Sequence, residues 1–355
     1  MYHLFDGQAC VHKFEINEGK VVYFNKLLES KSYKMTVEEN RFGNGTFGTP
    51  DMHSSLFGRL KTLYNSTSDN MDNTNVNIVP FAQSQMYALT ETNYLLQIDP
   101  KNLDIIKKLN VTDYIPTSNS IIAHPHVEQD GSWIDMGQNV KKPGYDFVKY
   151  DGKGLKDPSL NNILENGKLI NCIPSSHGST SLSYFHSFGL SENFIIFLEQ
   201  SLKIKFLALA SGLITKRPFM DCLQMDPNWN TRIHLINRHT GEIVKKKFHT
   251  DPIFFFHAIN SFEQKKDDKT EIYVDLCSYN PSDFDVKTLR YDHVFTDHLV
   301  GSGTANSLAR RITIPFDSAS SNKEESTYCN IKDLNSNHRL ELPTINYSRV
   351  RIHFI

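Results

Sequence analysis

Short runs of apolar residues, alternating or continuous, are broken along this chain by compact polar turns. Tyr94-Leu95-Leu96-Gln97-Ile98 leads into Asp99-Pro100-Lys101-Asn102 and then Leu103-Asp104-Ile105-Ile106, which predicts a strand, a tight turn and a second strand. The same phrase returns in Ile233 to Ile236, a turn from Asn237 to Gly241, and Glu242-Ile243-Val244. Asp130-Gly131 marks a further hairpin. Few windows repeat at the helical period, so the pattern predicts an all-β fold of meandering hairpins, a propeller or a sandwich. The polar stretches Asn65 to Asn75 and Asp317 to His338 read as surface loops rather than linkers. No domain boundary is needed.

Composition changes this picture little. With 355 residues, 39% of them hydrophobic, and a net charge of −2, the chain can bury a large core and offers no basic field for nucleic acid. Five scattered cysteines, Cys10, Cys172, Cys222, Cys277 and Cys329, lack C-x-x-C spacing and fit reduced thiols. Met1 to Lys13 carries His3, Asp6 and His12 where a signal peptide needs an apolar run. A cytoplasmic setting is the expectation.

Candidate chemistry lies in three distant segments that set a histidine among strand-forming residues: Ile121-Ile122-Ala123-His124-Pro125-His126, Ser183-Tyr184-Phe185-His186-Ser187-Phe188 and Phe254-Phe255-Phe256-His257-Ala258-Ile259-Asn260. A buried imidazole without a partner costs several kcal/mol, roughly the price of any unpaired buried polar group, and one metal ion would partner all three. A lone histidine in an apolar strand is nevertheless more often a satisfied core residue than a ligand. A competing metal reading comes from His124 and His126, which at i and i+2 would share one side of an extended strand. Enzymes opening on H-x-H need further ligands close behind, and none appears in Val127 to Asn139.

The residues around the three histidines, A-H-P-H, H-S-F-G-L and F-H-A-I-N-S-F-E, resemble the iron-binding segments of the carotenoid cleavage oxygenases. The resemblance extends to Tyr2-His3-Leu4-Phe5-Asp6-Gly7-Gln8 with His12-Lys13-Phe14, to Thr90-Glu91-Thr92-Asn93, to Phe219-Met220-Asp221-Cys222, to Val274-Asp275-Leu276-Cys277 and to Glu341-Leu342-Pro343-Thr344-Ile345-Asn346-Tyr347. These matches run in family order from residue 2 to residue 347. They fit the animal branch, with its carotene oxygenases, insect isomerooxygenases and retinal-pigment-epithelium isomerohydrolase, better than the plant or bacterial branches.

The resemblance implies a single domain over residues 1–355, a seven-bladed β-propeller, incomplete in this chain, with a loop cap over an iron face. The histidines stand 62 and 71 residues apart, too far for one hairpin and suited to ligands from different blades. By the resemblance His124, His186 and His257 bind iron while His126 is structural, and Glu91 and Glu341 are carboxylates that orient ligand imidazoles. Imidazole ligands suit ferrous iron as a partner for dioxygen, although zinc or copper would accept them too. Phe47, Thr90 and Tyr184 are implied to line a substrate tunnel, and ordinary core packing would equally explain each.

The implied activity is that of a carotenoid 15,15'-dioxygenase-like iron(II) enzyme, which splits a polyene double bond with O2 into apocarotenal or retinal products. Retinoid isomerisation on the same scaffold and an inactive carotenoid-binding form are the alternatives. Phe206 to Thr215 is an apolar run of ten residues flanked by Lys203, Lys205, Lys216 and Arg217, too short to span a bilayer. It reads as a buried helix or an interfacial anchor, and the resemblance favours peripheral membrane contact through residues 203–217. The family's fourth iron histidine and third orienting glutamate lie beyond its E-L-P segment, and its R-N-G-P segment precedes H-x-F-D-G. The expectation is therefore a short form that lacks N-terminal strands and a C-terminal blade segment, with open strand edges and weak activity.

Overall fold

The structure, a computed structural model, describes residues 2–40, 46–50, 71–81, 85–115, 118, 120–128, 130–139, 142–152, 160–215, 217–266, 269–294, 307–318, 323–335 and 338–345. The chain divides into two compact units. One comprises Met1–Pro174, Phe206–Cys222 and Leu289–Asp292, the other Ser175–Lys205, Leu223–Thr288 and His293–Ile355.

The first unit opens with a hairpin of β1 (Cys10–Asn17) and β2 (Lys20–Leu27). Glu18 and Gly19 turn it, with φ of 47° and 77°, a left-handed pair that glycine at the second place makes inexpensive. Helix α1 (Lys31–Glu38) follows, and its first N–H groups are satisfied by the Asp72 carboxylate, which accepts from Lys31 N at 3.0 Å and Ser32 N at 2.9 Å. Then come two four-stranded antiparallel meanders. The first is β3 (Asn77–Phe81), β4 (Gln85–Leu89), β5 (Tyr94–Ile98) and β6 (Ile105–Asn110); the second is β7 (His126–Val127), β8 (Trp133–Asn139), β9 (Gly144–Tyr150) and β10 (Gly167–Pro174). Alternation assigns Tyr87, Leu89 and Leu95 to the core shared with Trp133, Val148 and Tyr150, while Ala88, Leu96 and Ile98 pack on the opposite face with Ala9 and Leu28. Short helices α2 (Leu160–Leu164) and α3 (Phe206–Thr215) complete the unit.

The second unit is built the same way. It contains a three-stranded sheet of β11 (Ser181–Ser183), β14 (Leu202–Lys205) and β15 (Leu223–Met225). A five-stranded sheet orders β12 (Gly189–Leu190), β13 (Phe194–Glu199), β16 (Thr231–Asn237), β17 (Lys247–Thr250) and β21 (Ser326–Tyr328), and a four-stranded one orders β18 (Phe254–Lys266), β19 (Lys269–Tyr279), β20 (Leu308–Phe316) and β22 (Asn330–Asn335). Phe194, Ile196, Leu198, Ile233, Leu235, Ile272, Val274, Leu276, Ile312 and Ile314 form its core. The fold is all-β, as the apolar pattern predicts.

Several expectations need correction. The second strand after Asp99 starts at Ile105, because Leu103 takes φ of 60° and closes the loop by donating to Asp99 O at 2.8 Å. Glu242 to Val244 forms only an isolated bridge, Ile236 with Ile243, and the ladder resumes with β17. The stretch from Asp317 to His338 is not all loop: it holds β21 and β22. An edge strand pairs on one side only, so its composition can be as polar as a loop's. Of Asn65 to Asn75, residues 65–70 lie outside the described residues, and Asp72 and Thr74 are buried, the former as a helix cap.

Candidate metal centre

His257 stands on β18 between two irregularities of its ladder with β19, at Phe256 and Ile259. Such bulges re-aim a side chain away from the strand's regular alternation. Its Nδ1 meets Glu341 Oε2 at 2.6 Å. Glu341 also accepts from Tyr279 Oη at 2.9 Å and from Leu342 N at 3.0 Å. Burial, reinforced by the Glu341 charge, raises the Tyr279 pKa, so its hydroxyl keeps the proton it donates. A carboxylate facing Nδ1 is the arrangement that favours the Nδ1–H tautomer of an imidazole, with its lone pair on Nε2. Nearby Cys277 is not in the group of ligand atoms described below, and burial with the Glu341 charge pushes its thiol up to about 12.

His186 lies in the connection between β11 and β12, and its ring stands edge-on to that of His257, centroids 4.9 Å apart at 82°. Tyr184 Oη lies 3.3 Å from His186 Nδ1. Phe256 packs edge-on to both Tyr184 and His186, at 6.3 and 5.4 Å, and continues into an aromatic wall of Phe254, Tyr279 and Phe284.

His124 precedes Pro125, which biases it to extended backbone. Its segment is tied down by Ile121 N donating to Thr92 O at 3.1 Å and by Asn77 Nδ2 donating to Ala123 O at 2.8 Å. Asn77 Nδ2 also stands 3.4 Å from His124 Nδ1, too far to fix the tautomer. Beneath this segment Asp135 accepts from Met136 N, Trp133 Nε1 and Ile122 N, and burial pushes its carboxyl up to about 7 against those bonds.

One ligand atom from each of His124, His186 and His257 lies within 4.8 Å of the others, the one such group of metal-ligating side chains among the described residues. His126 is not part of it and begins β7. Three imidazoles, one held by a carboxylate through its far nitrogen, are a donor set that fits a divalent transition metal.

The other expected residues are placed as follows. Glu91 is half-buried on the bend between β4 and β5, next to Thr92, whose carbonyl holds the His124 segment. Thr90 is buried at the end of β4. Phe47 sits in the first unit against His3, Phe5 and Phe219, with its N–H on the Asp6 carboxylate at 2.6 Å. Sequence reasoning missed Tyr279 and Phe256. A tyrosine two residues after Cys277 on the strand paired with β18 was the available signal for the first.

Residues 1–352 match the family model described as retinal pigment epithelial membrane protein. The chain belongs to this family, that of the carotenoid oxygenases. It is 33% identical over 284 residues to the mitochondrial carotenoid-cleaving dioxygenase of Macaca fascicularis, covering 78% of this chain and 49% of that protein. It is 32% identical over 376 residues to the beta,beta-carotene 15,15'-dioxygenase of Rattus norvegicus, covering 98% and 64%. The chain thus spans about half to two thirds of the length of these relatives. Among solved structures, Synechocystis apocarotenoid oxygenase superposes with a TM-score of 0.63 at 21% identity, covering 94% of this chain and 62% of the other. Pseudomonas brassicacearum lignostilbene dioxygenase gives 0.61 at 16%, covering 92% and 59%. The family's fold is therefore the fold of this chain.

Proposed function

We propose that His124, His186 and His257 hold a ferrous ion and that the protein built on this chain cleaves a double bond of a carotenoid-type polyene with O2. The observation that carries the reading is the convergence of three imidazoles from distant segments, with Glu341 on the far nitrogen of His257. A bound ferrous ion supplies the redox chemistry that lets dioxygen react with an alkene. The chain's own residues do the rest. Glu341, backed by Tyr279, fixes the His257 tautomer, and Glu91 is assigned the corresponding role for a ligand on the first unit. Phe256 and Tyr184, beside His186, give an aromatic surface that stabilises cationic character in a polyene and positions one double bond. Thr90 and Phe47 are assigned to the same path. The scaffold is read as one seven-bladed propeller domain with a loop cap, the four-stranded antiparallel meanders being its blades.

The test is anaerobic loading of the chain with ferrous iron, then addition of β-carotene and air. Aldehyde products with one O2 consumed per polyene support cleavage. Geometric isomers formed without O2 uptake would replace this reading with isomerisation on the same scaffold, and iron uptake with neither reaction would reduce it to polyene binding.

We also infer peripheral membrane contact through residues 203–217. Among the described residues no helix is long and apolar enough to cross a membrane. On α3, however, Leu207 near the start of the helix is 82% exposed, and Arg217 just past its end is exposed too, an apolar residue and a cation on one short segment, as an interfacial anchor needs. Replacing Leu207 by Asp should lower binding to anionic liposomes; equal binding by the variant would place this helix elsewhere.

A further inference from the structure

His186 and His257 reach the site from segments that no strand ladder joins: His186 leads into β12, at the edge of one sheet, and His257 lies on β18, at the edge of another. Their spacing needs some other restraint, since metal–ligand distances hold only within roughly 0.2 Å. Two buried polar side chains supply it. Ser187 Oγ donates to Phe256 O at 2.7 Å and accepts from Ala258 N at 2.8 Å. Gln200 Nε2 donates to Tyr184 O at 2.9 Å while its Oε1 accepts from Phe255 N at 2.7 Å.

The four bonds bracket both ligands. Tyr184 and Ser187 flank His186, and Phe255, Phe256 and Ala258 flank His257. Phe256 is the residue that the bulge takes out of the β18–β19 ladder, so its carbonyl needs a partner from outside the sheet. One hydroxyl provides that partner and also holds the N–H on the other side of His257. Ser187 is 6% exposed and Gln200 fully buried, which keeps water from competing for these bonds. Close approach completes the joint: a Cβ at Gly189 would stand 2.5 Å from Ser261 Oγ of β18, so only glycine lets β12 lie this near.

We propose that Ser187 and Gln200 are positioning residues of the metal centre, setting the edge-on geometry of His186 and His257. The proposal rests on the metal reading given above and adds the pair that tunes it. An apolar side chain at either place would fill the space without fixing direction. The hydrogen bonds fix both.

Co(II) titration of the full chain, followed by its visible absorption, tests this alongside thermal unfolding of the metal-free protein. Ser187→Ala should weaken Co(II) binding roughly 10- to 100-fold, as removal of outer partners of metal ligands does, and should change the band shape; Ser187→Thr, which keeps the hydroxyl, should restore both. Gln200→Met, of similar volume, should act in the same direction and decides the matter if Ser187→Ala does not fold. Ser191→Ala is the control, since Ser191 is an equally buried hydroxyl that ties its loop to β18 through Glu263 at 2.6 Å. It should lower the unfolding temperature and leave the Co(II) affinity alone. Wild-type affinity and spectrum in Ser187→Ala and Gln200→Met overturn the positioning role. A wild-type chain that takes up no Co(II) overturns the metal reading itself, a different result from the first.

Discussion

On β16 His234 Nε2 stands 3.3 Å from Glu199 Oε2, and on β18 His257 Nδ1 stands 2.6 Å from Glu341 Oε2. Both pairs belong to the second unit and look alike as residue types. Their surroundings differ. Glu199 is fully buried and also accepts from Ser176 N at 2.8 Å, and His234 stacks on Phe197. Glu341 is 27% exposed in its side chain, and the ring it holds stands edge-on to a second imidazole, with Phe256 tilted against it as well. A carboxylate on a histidine therefore does not make a ligand; what matters is which nitrogen it takes and what the other nitrogen meets. The Glu199 pair reads as a structural joint, whereas in the proposed centre the Glu341 pair would leave Nε2 of His257 for the metal.

The sharpest way to break this comparison is to delete each histidine. His257→Ala should abolish stoichiometric metal binding by a chain that remains folded, because one of three donors is gone. His234→Ala should retain the metal but strand a buried carboxylate, at a cost of about 3–5 kcal/mol. Metal analysis and urea unfolding of the two variants read the two outcomes, and a His234 variant that loses its metal would erase the distinction.

A second contrast sets Glu199 against Asp135, the buried carboxylate near the His124 segment. Burial alone would push Glu199 up, but the His234 bond and charge and the Ser176 N–H outweigh it and hold the carboxyl below its usual range. Asp135 has only neutral donors, and burial wins, pushing it up from 3.8 to about 7. The signs of the pH dependence are therefore opposite. Native Asp135 keeps its proton where the unfolded chain has lost it, so its contribution is full below about pH 4 and is lost as pH rises to about 7. Glu199 contributes above the usual carboxylate range and loses its contribution as pH falls through its lowered pKa. Between pH 5 and pH 8 the Asp135 share amounts to roughly 3 kcal/mol. Asp135→Asn should flatten this part of a stability-against-pH curve measured by urea unfolding; an unchanged slope would show that Asp135 is ionised throughout.

How much of this was legible in the sequence follows from the same physics. Strands whose residues are buried on one or both faces, such as Tyr94–Ile98 and Phe194–Glu199, write themselves as apolar runs. So do the three histidines, because a polar ring in an apolar strand breaks the pattern. Strands β21 and β22 do not, since an edge strand facing water carries no apolar signal. Asp72, Ser187 and Gln200 were equally invisible: their importance lies in backbone groups they meet from tens of residues away, as in Phe255 N to Gln200 Oε1 or Lys31 N to Asp72 Oδ2. A one-dimensional pattern records burial and not partners. Phe47 shows the converse, an aromatic whose neighbours His3, Phe5 and Phe219 come from two distant parts of the chain.

The finest test of the comparison lies behind the carboxylates. Glu341→Gln should weaken metal binding roughly 10- to 100-fold, because an amide cannot hold the Nδ1 proton as a carboxylate does, whereas Glu199→Gln should leave metal affinity unchanged. Tyr279→Phe goes one atom further out. It removes the hydroxyl that donates to Glu341 Oε1 at 2.9 Å while keeping the ring against Phe254 and Phe284, so packing is preserved and only one bond is lost. A single hydrogen bond to a charged acceptor is worth about 1.5–3 kcal/mol, and because this one reaches the metal only through Glu341, a loss of affinity near the lower end, about tenfold, is expected. The loss should be smaller than for Glu341→Gln, since Leu342 N still holds the carboxylate at 3.0 Å. In the double variant the two losses should not add, because Tyr279 acts only through Glu341. Additive losses in a Co(II) titration of the two single variants and the double would show that Tyr279 reaches the metal centre by another route.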